Sequence, residues 1–254
     1  MPHLKYQVQK RFTRLISRHY RGFGINSPYI YHLVREVIEA KMHYYPFKKL
    51  DRLCRNMVSD VEKRILKESL SKEQNLWLKN EFNRLNGCTQ LYRFLFRLVN
   101  YLNPKRIAFL GDDSGLLLSY LAKVDRRRDL LCLGSRNFVS DYSRSILKEQ
   151  RISNVKYSEF SLIDKTAFDF IHISRSVDAN VLIEFESNIE SYLNEESYLV
   201  VENINRDERM IELWSRLKKM ERFNVSLDLF DVGILIARKG LKKQDYNLSA
   251  SSYK

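Results

Sequence analysis

Glycine is scarce in this chain, eight among 254 residues, and proline scarcer still, at four. Such a composition excludes collagen-like and flexible-linker polypeptides, and it makes each glycine worth tracing to the turn it serves. Cysteine is rare too. Cys54, Cys88 and Cys132 are odd in number and scattered, with no zinc or disulfide spacing, which points to a reducing compartment. No uninterrupted apolar run approaches the ~18 residues needed to cross a bilayer. The N-terminal residues are basic but lack the apolar stretch of a secretory signal. These absences predict a cytoplasmic globular protein, long enough to bury a large core.

Positive charge, by contrast, is abundant. There are 44 Lys and Arg against 31 Asp and Glu, a net charge of +13. Such an excess suits a polyanionic partner, nucleic acid or an anionic membrane, and it also serves plain solubility. Lys5, Lys10, Arg11, Arg14, Arg18 and Arg21 all precede the first acid, Glu36, with Tyr6, Phe12, Tyr20 and Phe23 among them. Those aromatics either stack on bases or pack the segment as a lid on the rest of the protein. The run Arg126-Arg127-Arg128 reads as solvated surface.

Residues 1–86 read as a basic helical extension. Ser27 and Pro28 form a helix-start signal, followed by Ile30, Leu33, Val34, Val37 and Ile38 at helical spacing up to Ala40. Further helices are expected over 49–69 and 77–85. From Gly87 the pattern changes. A strong stripe through Leu91, Phe94, Leu95, Leu98, Val99 and Leu102 precedes an apolar run, Arg106 to Leu110. Gly111 and Gly115 then bracket Asp112-Asp113-Ser114, and a helical pattern resumes at Leu116. Strand, glycine turn and helix together are how an open α/β sheet builds a cofactor site, and the same spacing also serves as an ordinary connection.

More strands are expected at 129–133, 155–160, 168–173 and 198–201, separated by helices over 139–150, 178–193 and 206–220. Alternation of this kind implies a parallel sheet. Asn224–Leu229 and Val232–Arg238 have only Phe230-Asp231 between them, so they form an antiparallel hairpin. Residues 87–242 thus read as one α/β domain with a seven-stranded, mostly parallel sheet. Residues 243–254 read as a polar tail.

On these features the chain resembles class I S-adenosylmethionine-dependent methyltransferases, and more closely a bacterial O-methyltransferase-like group with a helical N-terminal extension. The matching segments are GFGINSPYIYHLVREVI (22–38), LYRFLFRLVNYLNPKRI (91–107) and SLDLFDVGILIARKGLKKQDYNL (226–248). The resemblance implies a Rossmann-like fold, S-adenosylmethionine as cofactor and a small-molecule acceptor. It places the cofactor against Gly111, Asp112, Asp113, Gly115, Leu133, Gly134, Ser135 and His172, with His172 as a candidate base facing the methyl donor.

The chain departs from the family where chemistry is done. Phe109 replaces the first-strand acid, Leu133 replaces the acid that accepts the ribose hydroxyls, and His172-Ile173 replaces an aspartate-glycine pair. Glu202-Asn203 stand where the family often has two acids. Asp112 or Asp113 either takes over a ribose contact or caps the following helix. No metal is favoured; His172, Glu202 and Asn203 are the only remnants of a metal set. The leading reading is therefore a methyltransferase of weakened cofactor affinity. The alternative is a non-catalytic protein of the same fold, with the cofactor lost, that binds nucleic acid or a protein partner.

Overall fold

The computed structural model describes residues 23–67, 69–160 and 167–248. The basic segment Lys5 to Arg21, with its expected lid, lies outside the described residues.

Helix α1, Pro28–Leu33, starts as the sequence predicts. The Ser27 hydroxyl accepts the Ile30 N–H at 3.4 Å, and Pro28 fills the first position. The helix widens into a π-helical turn, Val34–Ile38. Helix α2 spans Tyr45–Lys67 and α3 spans Lys72–Leu85. Helix α3 begins at Lys72 rather than Trp77 because Ser71 and Gln74 form a reciprocal capping box, both bonds 3.1 Å. Helix α4, Thr89–Leu102, carries the strongest apolar stripe and buries Phe94, Leu95, Leu98 and Val99.

The strands are β1 (Arg106–Leu110), β2 (Asp129–Leu133), β3 (Val155–Ser158), β4 (Phe168–Ile173), β5 (Leu193–Glu202), β6 (Val225–Asp228), β7 (Val232–Ala237) and β8 (Gln244–Asn247). Between them run α5 (Leu116–Ala122), α6 (Asn137–Glu149), α7 (Ala179–Ser187), α8 (Ile189–Tyr192) and α9 (Glu208–Lys219). All belong to one sheet of order β3-β2-β1-β4-β5-β7-β6-β8. Strand β7 is antiparallel to both its neighbours, and every other pair is parallel. The expected α/β fold with its β6–β7 hairpin is present, and the order reverses beside β1, where open α/β sheets open a cleft.

The polar tail is corrected in part. Residues 244–247 add an eighth strand, parallel to β6. Tyr246 and Leu248 are two apart, so they face the same side, and both are buried. The unpaired edge of β6 supplies the backbone partners: Gln244 N–H donates to Asn224 O and Leu248 N–H to Asp228 O, each at 2.8 Å.

One face of the sheet and the helices α1 to α5 share a continuous core that joins Ile30 and Leu33 to Val225, Leu227 and Ile234. The Tyr29 and Tyr198 hydroxyls meet at 2.8 Å, and Arg97 Nε donates to Val37 O at 3.0 Å, so the α1 segment is fastened to the sheet. On the other face Leu110, Ile171 and Ile173 pack under α7 and α9. The triple-arginine run is also corrected. Arg126 and Arg127 are exposed, but Arg128 is buried, donating to Val99 O at 3.1 Å and Asn103 Oδ1 at 3.0 Å.

Candidate functional site

The turn after β1 needs its glycines. Gly111 has φ +111° and Gly115 φ +94°, values that side-chain-bearing residues rarely adopt. What approaches Gly111 is the chain itself. A Cβ built there would lie 2.9 Å from the Val177 nitrogen and 3.0 Å from its Cα. The loop after β4 is latched onto the turn, because the Ser176 hydroxyl accepts the Asp112 N–H at 3.0 Å and donates to the Asp112 carbonyl at 2.8 Å. The space over Gly111 expected for an adenosyl group is therefore filled by the Ser174–Val177 backbone. Gly115 is likewise closed in by α6, with Ser143 O and Ile146 Cβ each 3.0 Å from a built Cβ.

Both acids of the turn are committed. Asp113 Oδ1 accepts the Gly115 N–H at 2.7 Å and the Leu118 N–H at 3.2 Å, which caps α5. Its Oδ2 accepts two N–H groups of Arg84 at 3.1 Å, while Arg84 grips Glu81 at 2.7 and 2.6 Å. All three are buried, and burial pushes the Asp113 pKa up against the opposing pull of Arg84. Asp112 accepts the Arg136 N–H at 2.9 Å, the Ser135 hydroxyl at 3.3 Å and Arg136 Nε at 2.7 Å, with a second guanidinium bond to Oδ2. Arg136 extends the pair to Glu73 on α3 at 3.0 Å. Of the two roles the sequence left open, Asp113 takes the cap, while Asp112, which borders the 780 Å³ cavity described below, is held by Arg136. Leu133 is also corrected: its side chain is buried with Leu110 and Ile173 in the core.

His172 departs from expectation as well. It pairs with Phe109 on β1 and Val200 on β5, and its ring stacks on Phe109 with centroids 5.1 Å apart. Its Nε2 lies 3.0 Å from Glu202 Oε1, and its Nδ1 is buried without a partner among the described residues. Fully buried, it lines none of the cavities at the strand ends and does not face a methyl donor. The alternation of β4 turns it inward, on the side of Phe170. Burial raises the Glu202 pKa, but the bond and attraction of His172, aided by Arg84 and Arg175, outweigh it and hold the carboxyl at about 2. Among the described residues no three His, Cys, Asp or Glu side chains converge as a metal set. Glu202 and Asn203 line a small cavity of about 320 Å³, and His172 is spent on Glu202.

Two larger cavities open at the carboxyl ends of the strands. One, about 780 Å³, lies between α3 and the loops after β4 and β5, with Trp77 and Asn80 on one side and Arg175, Arg206 and Arg209 on the other. The second, about 620 Å³, lies beside the ends of β2 and β3 and is lined by Ser135, Tyr157, Glu159 and Phe160. Gly134, Arg136 and Asp178 border both. Gly134 has φ +65° and is covered by Val181, 2.9 Å from a built Cβ. Asp178 caps α7 through the Asn180 N–H at 2.8 Å, and among the described residues neither Asp178 nor Glu159 has an ion-pair partner. The sequence reading brought out Gly134 and Ser135 but missed Glu159, Arg175, Asp178, Arg206 and Arg209. Each follows a strand or opens a helix at the sheet's carboxyl end, and that placement was the signal available.

No family model matches the chain, and no curated protein matches it in sequence. Solved structures do match in fold. An O-methyltransferase from Bacillus cereus in complex with S-adenosylhomocysteine aligns with a TM-score of 0.54 at 12% identity, over 81% of this chain and 97% of that one. A methyltransferase from Podospora anserina bound to the same compound aligns at 0.52 and 15% identity, over 84% and 97%. A methyltransferase from Geobacter sulfurreducens aligns at 0.50 and 16% identity, over 58% and 78%. With them this chain shares the Rossmann-like methyltransferase fold.

Proposed function

We propose that this protein binds S-adenosylmethionine in the groove beside Gly134 and passes its methyl group to a small molecule held in the adjoining 780 Å³ cavity. The observation that carries this reading is the junction of the two cavities at Gly134, Arg136 and Asp178, over the switch point of a methyltransferase fold. The residues present fit the nucleoside part of that cofactor beside β2 and β3, and do not fit it over Gly111, where Val177 lies. Asp178 and Glu159 offer carboxylates without ion-pair partners to a vicinal diol, the task that Leu133 cannot perform. Tyr157 and Phe160 offer flanking ring surface.

When bound, the cofactor supplies a methyl group on a sulfonium, displaced in line by the acceptor, so the protein's contribution is orientation and exclusion of water. Arg175, Arg206 and Arg209 have no ion-pair partner among the described residues, and they favour an acceptor that carries an acidic group. Cys54, Cys88 and Cys132, all buried thiols, support a reducing, cytoplasmic setting.

Calorimetry with S-adenosylhomocysteine tests the reading. Asp178→Asn keeps the helix cap and removes the charge, so it should weaken binding about tenfold, a loss of ~1.4 kcal/mol. Leu133→Glu should unfold rather than tighten, since it buries a charge in the core. A folded protein with no nucleoside binding at millimolar ligand would instead assign the chain to the non-catalytic alternative.

A further inference from the structure

The amino end of the sheet, opposite the cavities described above, carries a feature that methyl transfer does not use. The first turns of α2 and the connection from α5 to β2 meet there and enclose a concavity of about 520 Å³. Its wall contains Lys48, Lys49, Arg52, Lys123 and Arg126, together with the ring of Tyr45, and no acid. Four of the five cations are exposed, and among the described residues none of the five has an ion-pair partner.

The acids nearest in sequence are turned away. Asp51 accepts the Tyr120 hydroxyl at 3.0 Å and is paired with Arg93. Asp125 is held by Arg127, whose backbone N–H reaches Oδ1 at 3.0 Å and whose guanidinium reaches Oδ2 at 2.8 Å. The first turn of α2 holds no acid either. Cations are therefore gathered from two segments of the chain against their mutual repulsion; Lys123 Nζ donates to the Gln150 carbonyl at 3.4 Å, and no carboxylate of the described residues pairs with any of the five. The Lys123 ammonium registers this crowding: burial first, then Lys49 and Arg126, lower its pKa. Other basic side chains are matched, as in Arg84 with Glu81 and Asp113, or Arg216 with Glu186, and the unpaired Arg175, Arg206 and Arg209 of the 780 Å³ cavity share its wall with Glu73, Glu81, Asp112 and Asp178, whereas this concavity has no acid in its wall.

Tyr45 sets the ligand class apart from a simple polyanion. The residue is 99% exposed, the most open of the large hydrophobic residues described, and it stands at the rim of the cation cluster. An aromatic ring held at the edge of a phosphate-binding concavity is the arrangement that stacks an unpaired base while the cations track its backbone. A duplex keeps its bases stacked on one another and offers this ring no face. We infer that this end of the molecule binds single-stranded nucleic acid, with its phosphates on Lys48, Lys49, Arg52, Lys123 and Arg126 and one base on Tyr45.

The test uses the full chain and fluorescently labelled single strands of mixed sequence, RNA in one arm and DNA in the other, titrated across a salt series. Affinity should fall with salt by about 0.7 log units per tenfold rise in salt for each phosphate contacted. Replacing Lys48, Lys49, Arg52 and Arg126 together by Ser should flatten that slope and lower the affinity at least a hundredfold near physiological salt. Tyr45→Ala should lower affinity about tenfold and leave the salt slope unchanged, a separation that a diffuse charge effect does not produce. The RNA and DNA arms together identify which sugar backbone is preferred. The inference is overturned if the fourfold variant binds as the parent does, or if removing Lys10, Arg11, Arg14 and Arg18 alone abolishes binding. It is equally overturned if Tyr45→Ala has no effect, or if phosphatidylserine vesicles bind more tightly than either strand. Circular dichroism of each variant secures the comparison, since the substituted side chains at 45, 48, 49, 52 and 126 are exposed.

Discussion

Two groups of arginines, one at each end of the sheet, are used in opposite ways. At the carboxyl end Arg84 is buried and satisfied by Glu81 and Asp113, and Arg136 ties Asp112 to Glu73, joining the loop after β2 to α3. At the amino end Arg52 and Arg126 face solvent beside lysines in a concavity with no acid in its wall, Asp51 and Asp125 being paired with Arg93 and Arg127. The first arrangement fixes loops, because a buried charge without its partner is costly. The second leaves charge available, because exposed cations cost little and wait for an external anion. The same side chain is a structural strut where it is buried with acids, as in Arg84, and a recognition element where it is exposed without them, as in Arg52 and Arg126. Burial and the placement of acids decide which.

Removing a strut should break the contrast most visibly. Arg84→Met strands Glu81 and Asp113 in the interior, and denaturant unfolding should show a loss of about 3–5 kcal/mol. A loss below about 1 kcal/mol would mean the network is far more hydrated than its burial indicates.

Acid should attack the same end next. Glu202 titrates at about 2 in the folded protein against an ordinary value of 4.5, so its contribution is complete above pH 4.5 and disappears as pH falls through 2. That difference corresponds to about 3 kcal/mol. Glu202→Gln should therefore be less stable than the parent at pH 7, and its stability should fall less between pH 5 and pH 2.5. Parallel pH curves for the two proteins would exclude His172–Glu202 as the cause.

A smaller effect separates glycines by their surroundings. Gly111→Ala forces a left-handed φ and presses a methyl group onto the Val177 backbone, which should cost about 1–3 kcal/mol. Gly87→Ala meets nothing within 4 Å and should be close to neutral; denaturant unfolding of the two variants checks the difference. At the amino end, replacing Lys48, Lys49, Arg52 and Arg126 by Ser should change stability by no more than about 0.5 kcal/mol, or raise it as repulsion is relieved. A large loss there would show that these cations have internal partners after all.

Much of the fold could be read from local pattern. The apolar runs at 129–133 and 168–173 became β2 and β4 with the predicted bounds, and the two-residue link at Phe230-Asp231 correctly required a hairpin. Strand β8 could not be read this way. With Tyr246 its one buried side chain and Leu248 buried just after it, the strand exists because β6 left an edge to pair with. The site was less legible than the fold. Gly111, Gly115 and Gly134 showed where the backbone would turn, but not that Val177, Ile146 and Val181 would fill the space beside them.

What the sequence determined by itself was whatever depends on near neighbours along the chain: helix starts such as Ser27-Pro28, the period of each apolar stripe, the order of strands and helices, and a net charge of +13. Which charges meet, in contrast, depends on how the chain is folded. Arg84 and Asp113 are 29 residues apart, and His172 and Glu202 are 30 apart. Lys49 and Lys123 share a concavity only because α2 lies beside the end of α5. Electrostatic partnership depends on distance through space and on exclusion of water, and neither is written in residue order. That is why a glycine turn that reads as a cofactor cradle is packed under its own chain, while a basic run that reads as plain surface divides three ways: a buried strut, Arg128, an exposed partner of Asp125, Arg127, and an exposed cation, Arg126, at the proposed nucleic-acid site.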